Sequence, residues 1–288
     1  MKRAISAFIR KWCLRSKSMN NVPVRKSAGE LGIETLYHYE RFNCAYLSAM
    51  LRDQKVHCSN PAKLNDPWDC HPWFDSKSLD EEDVLRRVVE FHHGQARLGG
   101  ISPLPSRLNE QWLASLRNDP KEREKLMDDL SKKALHDMLA QRRIYCLTPD
   151  PDCTLMWSHY AEEHRGICLE FGVDNSLFRS AKQVVYASTY PVWLPYEFEE
   201  RPERITEVIT TKAAGWNYEK EFRLIFPTRD DFFSLPPGSL KGVIIGAQAS
   251  PEVVEIICDI VTRHAPALRI RRAVLMPRQY KLQIVAPS

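Results

Sequence analysis

The sequence predicts an α+β fold, with mixed and antiparallel sheets in one core, a helical insertion and a basic N-terminal arm. Three observations carry that expectation. All the excess positive charge lies at the N-terminus. Residues 78–143 are highly charged and helical in pattern. From Arg143 the chain turns to β-branched and aromatic runs, with three helical stretches between them and no regular strand–helix alternation. The domain reading that follows is an arm over 1–32 and a single α+β domain over 33–288, carrying the insertion 78–143.

Residues 1–26 hold eight basic side chains and no acid. Removing these eight from the 41 Lys and Arg leaves 33 against 37 Asp and Glu, a net of −4 for the rest. The body therefore lacks the basic balance that accompanies phosphate-backbone binding. Nucleic-acid contact through the arm, or through Arg263, Arg269, Arg271, Arg272, Arg278 and Lys281, stays open. Ala4–Ile9 is too short and too interrupted for a signal-peptide core, while the Arg-rich, acid-free start shares the character of a transit peptide. A flexible basic arm, or a short helix docked on the body, is the commoner explanation of such a segment, and residues 1 to about 30 are expected to be dispensable for the fold.

Leu36–Tyr39 reads as an aromatic strand. Asn43–Gln54 reads as a helix with Ala45, Leu47, Met50 and Leu51 on one stripe. Lys55–Cys58 is a second strand, and Asn60-Pro61 and Asn65-Asp66-Pro67 mark a loop. In the insertion, Ser78–Glu81 fits a capping box, Pro103 and Pro105 interrupt, and Asp119-Pro120 opens a long helix. Strands are expected at 143–148, 166–171, 183–190, 221–226, 240–246, 268–275 and 279–285. Helices are expected at 154–163, 203–214 and 250–264, the last capped by Ser250 with Pro251 in its first turn.

At 43% hydrophobic and 27% charged residues, the composition is that of a globular chain. No apolar run approaches the ~18 residues that span a bilayer, so no membrane partner is expected. The eight cysteines are irregularly spaced without C-x-x-C, which points to reduced thiols and a cytoplasmic setting. The looser sets Cys146/Cys153/His159/His164 and Cys58/Cys70/His71 do not have zinc-finger spacing, and no metal is assigned.

Chemistry concentrates in three places. In Trp216–Pro227, strand alternation puts Phe222, Leu224 and Phe226 on the core face and Glu219, Glu221 and Arg223 on the other. That is either an exposed Arg–carboxylate ladder or a poised pair of carboxylates. On this pattern Glu221→Gln should leave the fold intact. In Asp152–His164, Trp157 and Tyr160 either stack on a ligand ring or pack the core. In Tyr37-His38-Tyr39, the histidine either bonds a ribose hydroxyl or is structural.

These pieces, in order, resemble a bacterial family of domains of unknown function. The matching runs are Leu36-Tyr37-His38-Tyr39, Lys63-Leu64-Asn65-Asp66-Pro67-Trp68, Met156–Ala161 with His164-Arg165-Gly166, Lys212, Trp216–Ile225 and Gly242–Gly246. More remotely, Glu219-Lys220-Glu221 before Phe222-Arg223-Leu224 resembles the E-x-E strand of ADP-ribosyltransferases. That resemblance implies NAD as substrate and a macromolecular acceptor. It also implies catalytic roles for Glu221, Glu219 and His38, and cofactor contacts from Tyr39, Thr148, Trp157, Tyr160 and Arg223. The middle motif is not a clear S-T-S, and the insertion separates the first two motifs. A non-catalytic ligand-sensing or interaction module, in phage defence for example, is the alternative, and nucleic-acid handling is the third reading. An open cleft shared by Glu221, His38 and Tyr160 favours catalysis, whereas Glu221 sealed against Arg223 or a lysine favours the module.

Overall fold

The computed structural model describes residues 25–74, 114–193 and 204–286, with single positions at 82, 85, 86 and 111. The chain is α+β. Strand β1 (Thr35–Glu40) leads to helix α1 (Cys44–Asp53), which starts where Asn43 accepts the Tyr46 amide. Strands β2 (Lys55–His57) and β3 (Trp73–Phe74) follow. Helix α2 (Pro120–Ala140) opens on Asp119, whose carboxylate caps two amides, with Pro120 in the first turn. Next come β4 (Arg143–Leu147), α3 (Thr154–Tyr160), β5 (Ile167–Gly172), α4 (Ser176–Arg179), β6 (Lys182–Gln183), β7 (Val185–Ala187) and β8 (Val192–Trp193). After these come α5 (Ile205–Ile209), β9 (Thr211–Ala213), a 3-10 helix over Ala214–Glu219, β10 (Phe222–Phe226), β11 (Phe232–Ser234) and β12 (Leu240–Ile245). Helix α6 (Pro251–His264) and strands β13 (Arg269–Leu275) and β14 (Leu282–Val285) end the chain.

One sheet has the order β1-β5-β12-β13-β14 and is antiparallel except for the β12–β13 pair; a second has the order β4-β10-β6 and is antiparallel throughout. The largest core packs α1 and α6 against these sheets through Leu47, Met50, Leu51, Ile257, Ile260 and Val261. The two sheets meet at Tyr37 and Thr148, which exchange both backbone hydrogen bonds at 2.7 and 2.9 Å. Continuing that antiparallel ladder would pair Tyr39 with Cys146. Instead the His38 ring takes the Cys146 carbonyl through Nδ1 at 2.7 Å, and the sheets part. Tyr37, His38, Tyr39 and Cys146 at this parting line the cavity described below.

Several expectations are corrected. The helix expected at 203–214 ends at Ile209, and Thr211–Ala213 forms a short parallel pair with β7. The strand expected at 183–190 is broken after Gln183. The capping box at 78–81 and the prolines 103 and 105 lie outside the described residues. Residues 25–32, assigned to the arm, pack on the body: Ala28 is fully buried, Ser27 bridges to Lys182, and Arg25 donates to Thr211 at 2.8 Å. No helix among the described residues is long and apolar enough to cross a membrane.

Two glycines shape the β5 entry. Residues 162–164 all have positive φ, a left-handed turn without glycine. It closes against Gly166 and Gly246, where an added Cβ would collide with the backbone carbonyls of Glu40 and His164 respectively.

Candidate functional site

The cavity between the sheets has a volume of about 680 Å³ and is lined from both. Strand β1 contributes His38 and Glu40, β4 contributes Tyr145 and Cys146, α3 contributes Tyr160, the segment leading into β10 contributes Glu219 and Glu221, and β10 itself contributes Arg223.

The carboxylates do not follow the expected strand. Glu219 ends a 3-10 helix, Lys220 adopts φ 45°, and β10 begins only at Phe222. This left-handed step turns both glutamates inward. Glu219, Glu221 and Arg223 are 2, 3 and 1% exposed, so the exposed-ladder reading is overturned. The second face of β10 is buried because Asp69, Cys70 and the end of α5 close over it.

At the centre lies Arg223. It donates to Glu221 from Nε (2.7 Å) and Nη2 (2.8 Å), to Asp69 from Nη1 (3.0 Å) and Nη2 (2.6 Å), and to the Ile209 carbonyl from Nη1 (2.6 Å). These contacts use every N–H of the guanidinium. Lys212 donates to Glu219 Oε2 at 2.5 Å and reaches Glu221 Oε2 at 3.5 Å. The Tyr160 hydroxyl donates to Glu219 Oε1 at 2.7 Å. Three buried carboxyls thus face two buried cations.

Environment separates the two glutamates. Burial opposes charge on Glu221, but Arg223 and Lys212 outweigh it and hold the carboxyl well below its usual range. Burial raises the Glu219 carboxyl, with Lys212 opposing. Burial likewise drives His38 down to about 4, leaving a neutral ring whose Nδ1–H is fixed on the Cys146 carbonyl. Burial raises the Cys146 thiol far above its ordinary range.

Of the sequence candidates, His38, Tyr39, Tyr160, Glu219, Glu221 and Arg223 line the cavity. Tyr39 is largely committed to the fold, since its hydroxyl donates to the Asp150 carbonyl at 2.7 Å. Thr148 and Trp157 are not in the wall. Thr148 is buried in the bridge to Tyr37, and Trp157 is fully buried with its indole N–H on the Pro151 carbonyl at 2.9 Å. Trp157 therefore packs the core and does not stack on a ligand. Sequence reasoning missed Asp69, Glu40 and Tyr145 altogether. Lys212 was quoted only as a family match, and Asn65 only as a loop marker and a family match. Asn65 also lines the cavity.

Of the C-terminal basic residues, Arg269 and Arg271 meet Glu170 at 3.1 and 2.6 Å, and Arg263 meets Asp259 at 2.6 Å. Among the described residues, all seven cysteines are unpaired and no three metal-ligating side chains converge.

No curated protein and no solved structure matches the chain. Residues 156–224, which carry Tyr160, Lys212, Glu219, Glu221 and Arg223, match the model of the family described as protein of unknown function, DUF2971.

Proposed function

We propose that the cavity is the active site of an NAD-dependent, ADP-ribosyltransferase-like enzyme with a macromolecular acceptor. The observation that supports it is the joined cluster of Tyr160, Glu219, Lys212, Glu221, Arg223 and Asp69 in one cavity with His38. Three buried carboxyls stand against two buried cations there, the firmly ionised Glu221 among them. A ribosyl carbon that becomes cationic as its bond to nitrogen breaks gains most from such fixed charge.

In this reading the C1′–N bond breaks and its electron pair leaves on the nicotinamide nitrogen. The acceptor's nucleophile then attacks C1′ and passes its proton to Glu219. Burial raises that carboxyl's affinity for a proton and Tyr160 orients it, as a proton-accepting group requires. Glu221, with both oxygens on Arg223, acts as a positioning residue that fixes the Lys212 ammonium beside Glu219. The unpaired thiols support a cytoplasmic setting.

A second reading, a non-catalytic ligand-sensing module, is supported by the sealing of Glu221 against Arg223. Labelled NAD, incubated with the protein alone and with lysate, separates the two. Nicotinamide release and label on a macromolecule, both lost in Tyr160→Phe and Glu219→Gln, are expected. Binding without release points to the module, and neither binding nor release refutes both.

A further inference from the structure

The same cavity wall holds polar groups to which the proposed reaction assigns no step. Strand alternation puts His38 and Glu40 on the same face of β1, with His38 Nε2 3.9 Å from Glu40 Oε2. The His38 ring stacks on Tyr145 with centroids 4.2 Å apart. Tyr145 is 2% exposed, yet its hydroxyl has no hydrogen-bond partner among the described residues, and neither has Glu40 Oε1. Buried polar groups are normally satisfied, and two such groups in one cavity wall mark a place where a ligand completes the bonding. Apolar and aromatic surfaces of Ile144, Tyr46 and Phe232 complete the wall.

We propose that His38, Glu40 and Tyr145 form a second subsite that takes an uncharged planar group presenting a hydrogen-bond donor beside an acceptor. A carboxamide and the amino edge of an adenine-type base share this chemistry. A protonated carboxyl offers one donor and one acceptor side by side, the complement of that edge. Tyr145 adds a donor, and His38 Nε2 adds an acceptor because Nδ1 carries the proton. Burial raises Glu40 to about 8, which keeps it protonated at neutral pH. The titratable groups around it are His38 on its own strand, Tyr145 on β4, Tyr46 on α1 and Cys168 on β5. Burial makes His38 neutral and keeps Tyr46, Tyr145 and Cys168 protonated, so none supplies a charge to ionise Glu40.

The test is titration calorimetry on the full chain with benzamide against benzoate, and 9-methyladenine against 9-methylpurine. None of these probes has a glycosidic bond to cleave, so the result is independent of NAD turnover. Binding of benzamide or 9-methyladenine at pH 6.5 is expected, and which of the two binds identifies the source of the edge. Their counterparts should bind at least tenfold more weakly. Affinity should fall tenfold or more by pH 9.5 in the wild type but not in Glu40→Gln, which keeps a donor beside an acceptor. Glu40→Leu and Tyr145→Phe should lose binding while the melting curve persists. No binding by any probe, equal binding of benzoate and benzamide, or full binding by Glu40→Leu would overturn the proposal. If Glu40→Leu does not fold, the pH contrast between wild type and Glu40→Gln decides alone.

Discussion

Replacing Glu221 by glutamine separates the strand expectation from the structure. On a regular strand the side chain points off the core, and the substitution costs little. In the structure Glu221 holds two of the five guanidinium N–H groups of Arg223, and all five are satisfied. The glutamine oxygen can accept one of the two, but its amide then faces the other, and the charge is gone. Removing one partner of a buried pair costs about 3–5 kcal/mol, because the remaining charge is uncompensated. Asp69 still faces Arg223, which places the cost toward the lower end of that range. Whole-domain stability is about 5–15 kcal/mol, so the loss is a large share of it. At roughly 2–4 °C per kcal/mol for a domain of this size class, the melting temperature falls by about 6–12 °C. Circular dichroism melts at pH 7 measure it directly. The acid side gives a second reading. A carboxyl held low in the fold contributes stability above its unfolded pKa of about 4.3 and loses it as pH falls through the folded value near 2. The gap between wild type and Glu221→Gln should therefore narrow from pH 5 to pH 2. A melting temperature within about 2 °C of wild type at pH 7 would refute the buried-cluster account.

Glu219→Gln should destabilise less, since Lys212 keeps Glu221 and Asp69 at 3.5 and 3.8 Å, and NAD turnover should still be lost; intact turnover would remove Glu219 from the mechanism. Deleting residues 1–32 should lower the melting temperature by several degrees more than deleting 1–24, because only the longer deletion removes buried Ala28 and the Ser27–Lys182 bridge. Gly246→Ala should abolish soluble folded protein, as its Cβ meets the His164 carbonyl, and a native-like circular dichroism spectrum would contradict that. In urea titrations the His38 contribution, from a depressed pKa, should be present above about 6.5 and lost as pH falls to about 4. The Glu40 contribution, from a raised pKa, should be full below about 4.3 and lost as pH rises to about 8. His38→Asn and Glu40→Gln should each flatten the matching limb of the stability profile.

The sequence signals that survived in the structure are local ones. Asn43, Asp119-Pro120 and Ser250-Pro251 each mark a helix start because capping is chemistry between near neighbours. Alternation located β4, β5, β12 and β13 within about a residue. It failed at Glu219-Lys220-Glu221, where a left-handed lysine breaks the period and a distant segment covers the face. Asp69 lies 154 positions from Arg223 and carries no periodic mark, so its role was not legible. His38 and Tyr160 were recognisable through the motifs around them. Trp157 and Thr148 sat in the same motifs, but a motif does not say which side chain faces a cavity and which fills a core.

The Arg223 cluster also bears on the order in which the chain folds. Its members come from the loop at Asp69, the end of α5 and the start of β10, so no local fragment contains it. Closing a long loop adds little entropy beyond a short one, since that cost grows only logarithmically. Stripping water from an unpaired guanidinium or carboxylate is far more costly. Water is therefore expected to stay on these groups until both sheets are in place, with the cluster drying in one late step after the apolar cores have formed. Once dry, it has no half-open state of low energy, because releasing any one member strands a charge. In hydrogen exchange the amides around Arg223 and Glu221 should behave as a single unit that opens with the whole molecule, while the nearby turn at 162–164 opens on its own.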